Sequence, residues 1–377
     1  MTFARTQSES TPLSRHKRFV ALDGFRGVLA VFVAIYHTYW TSMLNSSAFF
    51  NHGPVLIDLF FVFSGFLMFT LYSGMRSGGA VVGFFQKRVA RLYPVHFVMT
   101  LVLLAYSGLR FLIGSGEGAA LPFNVGATET WWSLLSNLAL VQALGLHDSL
   151  SFNVPAWTIS VEMVAYVVFA GVCVFAPLRK DWHFWMVGLG VAAIYAGLWR
   201  VKPDMNITYD LGLWRCLAGF GVGVLCARTR VWVGERVARL GGAGRTMLEL
   251  AVMGGFAAFV IWMPGKWQFL VGAFAYVFVV VFAQDAGAVS RVLGARVFRY
   301  LAKVSYSLYM VHFVIALAFG ILNARVPGLN GDVLLGAYLV CVLLSAHGLW
   351  RLVEVPGAAL MLRWMRGRKV ASVRAAA

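Results

Sequence analysis

The chain has 377 residues, 60% of them hydrophobic and 12% charged, and a mean hydropathy of +0.76, well outside the range of soluble globular proteins. Its net charge of +17 would point to nucleic acid in a soluble chain. Here most Lys and Arg fall in short loops on alternate sides of apolar runs, the bias that orients membrane proteins and attracts anionic lipid. The composition therefore argues against a nucleic-acid partner and predicts an all-α polytopic membrane protein surrounded by membrane lipid.

Residues 1–18 are polar and basic (Arg5, Arg15, Lys17, Arg18) and read as a cytosolic N-terminal segment. The apolar run 19–40 is too long for the core of a signal peptide and has no small-residue cleavage pattern, so it predicts a retained first membrane helix. A second span, 54–72, leads to a basic segment with Arg76, Lys87, Arg88 and Arg91. Pro94 suits a first helical turn, so the third span is predicted over 93–113. The loop 114–129 carries Glu117 and Glu129 without a basic residue and reads as external.

The run 131–146 is short for a span, and if it crossed, Arg179 and Lys180 would lie outside, against the charge bias. It is therefore predicted as re-entrant or interfacial. Spans then follow over 156–177, 182–199, 211–227, 247–263, 267–283, 304–322 and 333–350. This gives a bundle of about ten transmembrane helices with both termini cytosolic. One membrane domain covers 19–355, and 356–377 form a basic cytosolic tail. Cys173, Cys216, Cys226 and Cys341 have no metal-binding or redox spacing and read as packing residues; no metal site is expected.

Ionisable residues inside spans are costly and usually face the protein interior, and here they fall at two depths. Arg26 and His37, eleven residues apart in the first span, share a helix face with about 16 Å of rise between them. Towards the predicted outer surface His37 joins Asp58 and Glu162, an imidazole with carboxylates, the set that general-base chemistry uses. Trp157 and Ser160 stand near Glu162. Towards the cytosol Arg26 joins Arg88 and Arg91, whose guanidinium forks suit a phosphate-bearing ligand. Ser64-Gly65 would admit close approach of a backbone or a thin ligand arm. Tyr306, Tyr309 and His312 form a polar stripe at spacing three in the ninth span. The alternatives at this level are structural: Asp23 as a helix cap, Arg26 snorkelling to headgroups, His37 and the stripe bonding between helices, Gly65 as helix packing, and Arg88 and Arg91 as inner-surface charge.

The run LDGFRGVLAVFVAIYH, with ten residues between Arg26 and His37, resembles the first-helix signature of the membrane acyltransferase 3 family. DLFFVFSGFLM, RVARLYP, AWTISVEMVAY, SYSLYMVH and the final VEVP resemble further motifs of that family, in the family's order and over nearly the whole chain. The resemblance implies an O-acyltransferase that takes an acyl group, usually acetyl, from cytosolic acyl-CoA as co-substrate. The acceptor it implies is a hydroxyl of a glycan, glycolipid or other molecule, often at the outer face of a bacterial inner membrane. By motif match His37 is the catalytic histidine, Arg26 its partner on the same helix, and Arg88 and Arg91 lie on the CoA side. A transporter or flippase using the buried charges as a proton or solute path is the rival reading. The two differ in whether acyl-CoA is consumed.

Overall fold

The computed structural model describes residues 19–112 and 130–375, so the predicted N-terminal segment and the predicted external loop lie outside the described residues. Fourteen α-helices follow one another, with no strand among the described residues. They are α1 (Val20–Tyr36), α2 (Ala48–Asn51), α3 (Leu56–Tyr72), α4 (Gly78–Leu112), α5 (Trp131–Leu138), α6 (Trp157–Phe175) and α7 (Asp181–Val201). The second half holds α8 (Gly212–Ala238), α9 (Gly242–Trp262), α10 (Val271–Phe282), α11 (Ala288–Leu293), α12 (Arg296–Arg325), α13 (Gly331–Leu349) and α14 (Val355–Ala375).

Nine helical stretches among the described residues are long and apolar enough to cross a membrane. The protein is thus a many-span helical bundle. α1 has 17 residues, about 25 Å of rise, a little short of the roughly 30 Å hydrocarbon core. It is nonetheless central, packed against α3, α10, α11, α12 and α13. α7 lies at the periphery with most of its apolar face outward, as lipid-facing helices do.

Local chemistry explains how the central helices are set. α1 has no side-chain cap of its own. Its first amides are instead capped from the α10–α11 connection: Ala21 N–H donates to Asp285 Oδ1 at 2.8 Å and Val20 N–H to Oδ2 at 3.1 Å. The same connection is pinned by buried Glu249 of α9, which accepts from Gly287 N–H (2.7 Å), Ser290 N–H (3.1 Å) and the Ser290 hydroxyl. α3 and α8 cross in backbone contact, because a Cβ at Gly65 would run into the Phe220 carbonyl and one at Gly223 into the backbone of Val62 and Phe66.

Three expectations are corrected. α4 does not begin at Pro94 but runs through it from Gly78. A proline inside a helix removes one backbone bond, here the one to the Ala90 carbonyl four residues earlier; beside the proline, the Tyr306 hydroxyl of α12 donates to the Leu92 carbonyl at 2.6 Å and ties α4 to its neighbour. The basic segment holding Arg88 and Arg91 is therefore helical. The predicted tail is also helical: a turn of π-helix, Trp350–Glu354, carries α13 into α14, and Gly357 packs on the Pro94 ring of α4. Finally, three cysteines are buried as expected, but Cys341 is exposed on α13. In the region predicted as re-entrant, α5 is eight residues long, about 12 Å, and too short to span.

Candidate active site

Among the described residues, two neighbouring cavities hold most of the candidate side chains. The larger, about 180 Å³, is lined by Arg26 of α1, Ser64 of α3, Arg88 and Arg91 of α4, Glu162 and Tyr166 of α6, and Tyr306 and Tyr309 of α12. One water needs about 10–15 Å³, so this space suits a ligand arm. The smaller, about 50 Å³, is lined by His37 at the end of α1, Tyr36, Trp157, Arg215 of α8, and Asn206 and Thr208 of the α7–α8 connection. Both cavities are walled by Ile57 and Tyr309. The two cavities are therefore neighbours, with these two side chains bordering both.

The larger cavity carries three guanidinium groups against one carboxylate, and arginine keeps its charge in any protein setting. Arg88 lies over the Tyr72 ring at 5.6 Å, and its buried Nε has no hydrogen-bond partner in the protein. An unpaired buried donor on a cation is costly and fits an anionic group entering from beside α4. Glu162 accepts from the Tyr166 hydroxyl at 2.7 Å, and the Ser64 hydroxyl lies 3.0 Å from that oxygen. Glu354, in the π turn, accepts from the Ser307 hydroxyl at 2.6 Å and is near enough to Arg91 and Arg26 for its charge to act on both.

At the other end, His37 Nδ1 lies 2.9 Å from the Val33 carbonyl, which also accepts from the His37 backbone N–H at 3.2 Å in the last turn of α1. A carbonyl only accepts, so Nδ1 carries a hydrogen, and in the neutral ring Nε2 carries the lone pair. The His312 ring stands 5.0 Å away; its Nδ1 donates to the Tyr309 carbonyl at 2.7 Å, and its buried Nε2 has no partner in the protein.

The expected outer group of His37, Asp58 and Glu162 is not brought together. Glu162 lines the arginine cavity, and Asp58, fully buried, is held by Arg215. Arg215 Nε donates to both Asp58 oxygens (3.1 and 3.2 Å) and Nη2 to Oδ2 (2.7 Å), while Nη2 and Nη1 reach the carbonyls of Pro54 (2.5 Å) and Ile207 (2.9 Å). Arg215 went unnoticed in the sequence. Its signal was there: an arginine inside a predicted span, able to answer a buried aspartate elsewhere. Depth along a helix says nothing of which neighbour a side chain faces.

The remaining candidates divide. Trp157 walls the small cavity beneath the Arg215 guanidinium, 5.6 Å from its ring. Tyr306 lines the large cavity, and Tyr309 lines both and accepts from the Thr158 hydroxyl at 3.2 Å. Ser64 faces the large cavity, whereas neighbouring Gly65 is spent on the α8 crossing. Ser160 is fully buried and accepts from the Ala143 amide at 3.3 Å, outside the lining of either cavity.

With this geometry in view, comparison with known proteins is decisive at the family level. A family model described as an acyltransferase domain matches residues 19–355. The chain belongs to the acyltransferase 3 family. It is thus an acyltransferase and a multi-pass membrane protein. Protein 2 in the picA locus of Rhizobium radiobacter is 31% identical over 43% of this chain and 84% of its own length. The exopolysaccharide production protein ExoZ of Rhizobium meliloti is 28% identical over 70% of this chain and 76% of its own. The peptidoglycan O-acetyltransferase OatA of Listeria monocytogenes is 24% identical over 89% of this chain, which spans 55% of OatA. No solved structure matches significantly.

Proposed function

We propose that the chain is an integral-membrane O-acyltransferase that moves an acyl group, acetyl in the simplest case, from acyl-CoA to a hydroxyl of a glycan or glycolipid. The observation that carries this reading is the pair of cavities meeting at Ile57 and Tyr309, with Arg88 and Arg91 in one and His37 in the other. The arginine cavity receives the phosphates of acyl-CoA from the cytosol, and Arg26, on the His37 helix, borders the thioester arm. The acceptor reaches His37 from the opposite, outer end. The relatives support the acceptor class, one being an exopolysaccharide production protein and another a peptidoglycan O-acetyltransferase.

In the reaction His37 Nε2 takes the proton of the acceptor hydroxyl as its oxygen attacks the thioester carbonyl. The tetrahedral intermediate collapses, the C–S bond breaks, and the departing CoA sulfur takes the proton back from the imidazolium. The Val33 carbonyl keeps the ring in the tautomer this needs. The carboxylate that holds the corresponding ring nitrogen in serine hydrolases is replaced here by a backbone group. A positioned general base contributes about 10²–10⁴-fold in rate.

The test uses protein in lipid discs, with free CoA and acylated product followed together. His37→Ala should lower turnover by about 10²-fold or more while still binding acetyl-CoA, and Arg88→Ala should raise the acetyl-CoA concentration required. A wild type that binds acetyl-CoA but is matched by His37→Ala in turnover removes His37 from the chemistry. A wild type that neither binds nor consumes acetyl-CoA favours a transporter.

A further inference from the structure

The connection between α7 and α8, residues 202–211, is a strap of bends and turns beside the small cavity. Burial alternates along it: Met205 and Ile207 are fully buried in the core, and between and after them Asn206, exposed, and Thr208, half-buried, line the cavity with His37. The strap is pinned along its length. Met205 N–H donates to Gln268 Oε1 at 3.1 Å, the Ile207 carbonyl accepts from Arg215 at 2.9 Å, and the Tyr209 carbonyl accepts from Gly145 N–H at 2.9 Å. Lys202 and Asp210 pair across its ends. A strap held in this way presents its two free polar side chains in a fixed geometry, which is what discrimination by hydrogen bonding requires.

The charge of the cavity is the second observation. Arg215 is the one arginine in its lining, and its charge is matched by the two-oxygen contact with Asp58. The other polar groups are an amide, a hydroxyl, two phenols, the Trp157 indole N–H and the His37 ring, whose Nδ1 is bonded to the Val33 carbonyl. With that ring neutral, as a general base requires, nothing in the lining offers an uncompensated charge to an anionic or cationic acceptor. The third observation is size. About 50 Å³, against about 10–15 Å³ for a water, admits a hydroxymethyl group or the edge of a sugar ring, with Trp157 as an apolar wall.

We propose that the 202–211 strap selects the acceptor, with Asn206 and Thr208 hydrogen-bonding an uncharged sugar edge so that one of its hydroxyls meets His37. This rests on the acyltransferase reading above and adds to it the chemical class of the acceptor group and the residues that read it. Asn206 supplies an amide that both donates and accepts, and Thr208 a hydroxyl, the pairing a vicinal diol or hydroxymethyl group answers. Both are binding residues; neither takes part in the bond changes.

The experiment supplies acetyl-CoA and, in parallel, p-nitrophenyl β-glucoside, β-N-acetylglucosaminide and β-glucuronide to the full-length protein in lipid discs. Wild type is compared with Asn206→Ala, Thr208→Val and the double variant. Acetyl-CoA affinity and elution profile report the fold of each. The expected result is transfer to at least one neutral glycoside at ten or more times the efficiency of the glucuronide. Each single variant should lose about 10-fold in acceptor kcat/KM and the double about 100-fold, as lost hydrogen bonds of about 1.4 kcal/mol each would give, with acetyl-CoA affinity as in wild type. A double variant that keeps wild-type acceptor kcat/KM overturns the strap's role while leaving the donor reading intact. So does a wild type that prefers the glucuronide, or one that consumes acetyl-CoA yet acetylates neither neutral glycoside. A wild type that does not bind acetyl-CoA brings down the donor reading instead, and this proposal with it.

Discussion

Asp58→Asn is the most informative single perturbation. It preserves the shape of the side chain but removes the charge that answers Arg215, a guanidinium only 1% exposed whose other contacts are the carbonyls of Pro54 and Ile207. Those carbonyls are dipoles and cannot neutralise a cation. Removing one partner of a buried pair costs about 3–5 kcal/mol, whereas replacing both by apolar groups of similar volume is often neutral. Asp58→Asn should therefore lose about 3–5 kcal/mol in reversible unfolding by dodecyl sulfate in mixed micelles. Asp58→Asn with Arg215→Met should recover most of it, and the coupling should exceed about 2 kcal/mol. Activity of Asp58→Asn should fall in proportion to the folded fraction. A variant as stable as wild type but without turnover would refute this reasoning and assign the carboxylate to the chemistry.

Gly65→Ala should prevent α3 and α8 from closing, because its Cβ meets the Phe220 backbone rather than a yielding side chain; the yield of monodisperse protein should collapse, while Gly171→Ala on α6, where nothing stands within 4 Å, should be silent. Asp285→Ala removes the cap on the first amides of α1 and should cost about 1–2 kcal/mol in the same unfolding assay, with hydrogen exchange rising first at the start of that helix. Glu354→Gln leaves an acceptor for Ser307 but frees Arg91 and Arg26 from a nearby negative charge; the acetyl-CoA KM should change by several-fold with little change in kcat, and a fall in kcat alone would contradict it.

Much of the bundle was legible in the sequence because apolar length and charge placement are written residue by residue. The helices carrying Arg26 and His37, Asp58, Glu162 and the Tyr306–His312 stripe fall where the hydropathy predicts. What was not legible is azimuth and partnership. Pro94 reads as a helix start by its missing N–H, yet α4 runs through it, and the hydroxyl bonded to the backbone beside it comes from Tyr306, over two hundred residues away. Asp58 reads as a companion of His37 by depth, yet it faces Arg215 on α8. His37 invites a carboxylate partner, and its ring is held instead by the carbonyl of Val33, four residues earlier, the same carbonyl that accepts its backbone N–H. The strap at 202–211 gives no motif at all; its alternation of burial emerges only once Gln268, Arg215 and Gly145 grip its backbone.

The wall that Ile57 and Tyr309 give to both cavities has a consequence for the energetics of the cell. A continuous wet passage lined by arginines at one end and histidine at the other would conduct ions, and each charge crossing at 100 mV dissipates about 2.3 kcal/mol of stored membrane energy. Ile57 is apolar and Tyr309 phenolic, so where the cavities adjoin the lining they share offers an ion no charged group to replace its water. An acyl arm passing there, as proposed, carries no charge and meets no such barrier.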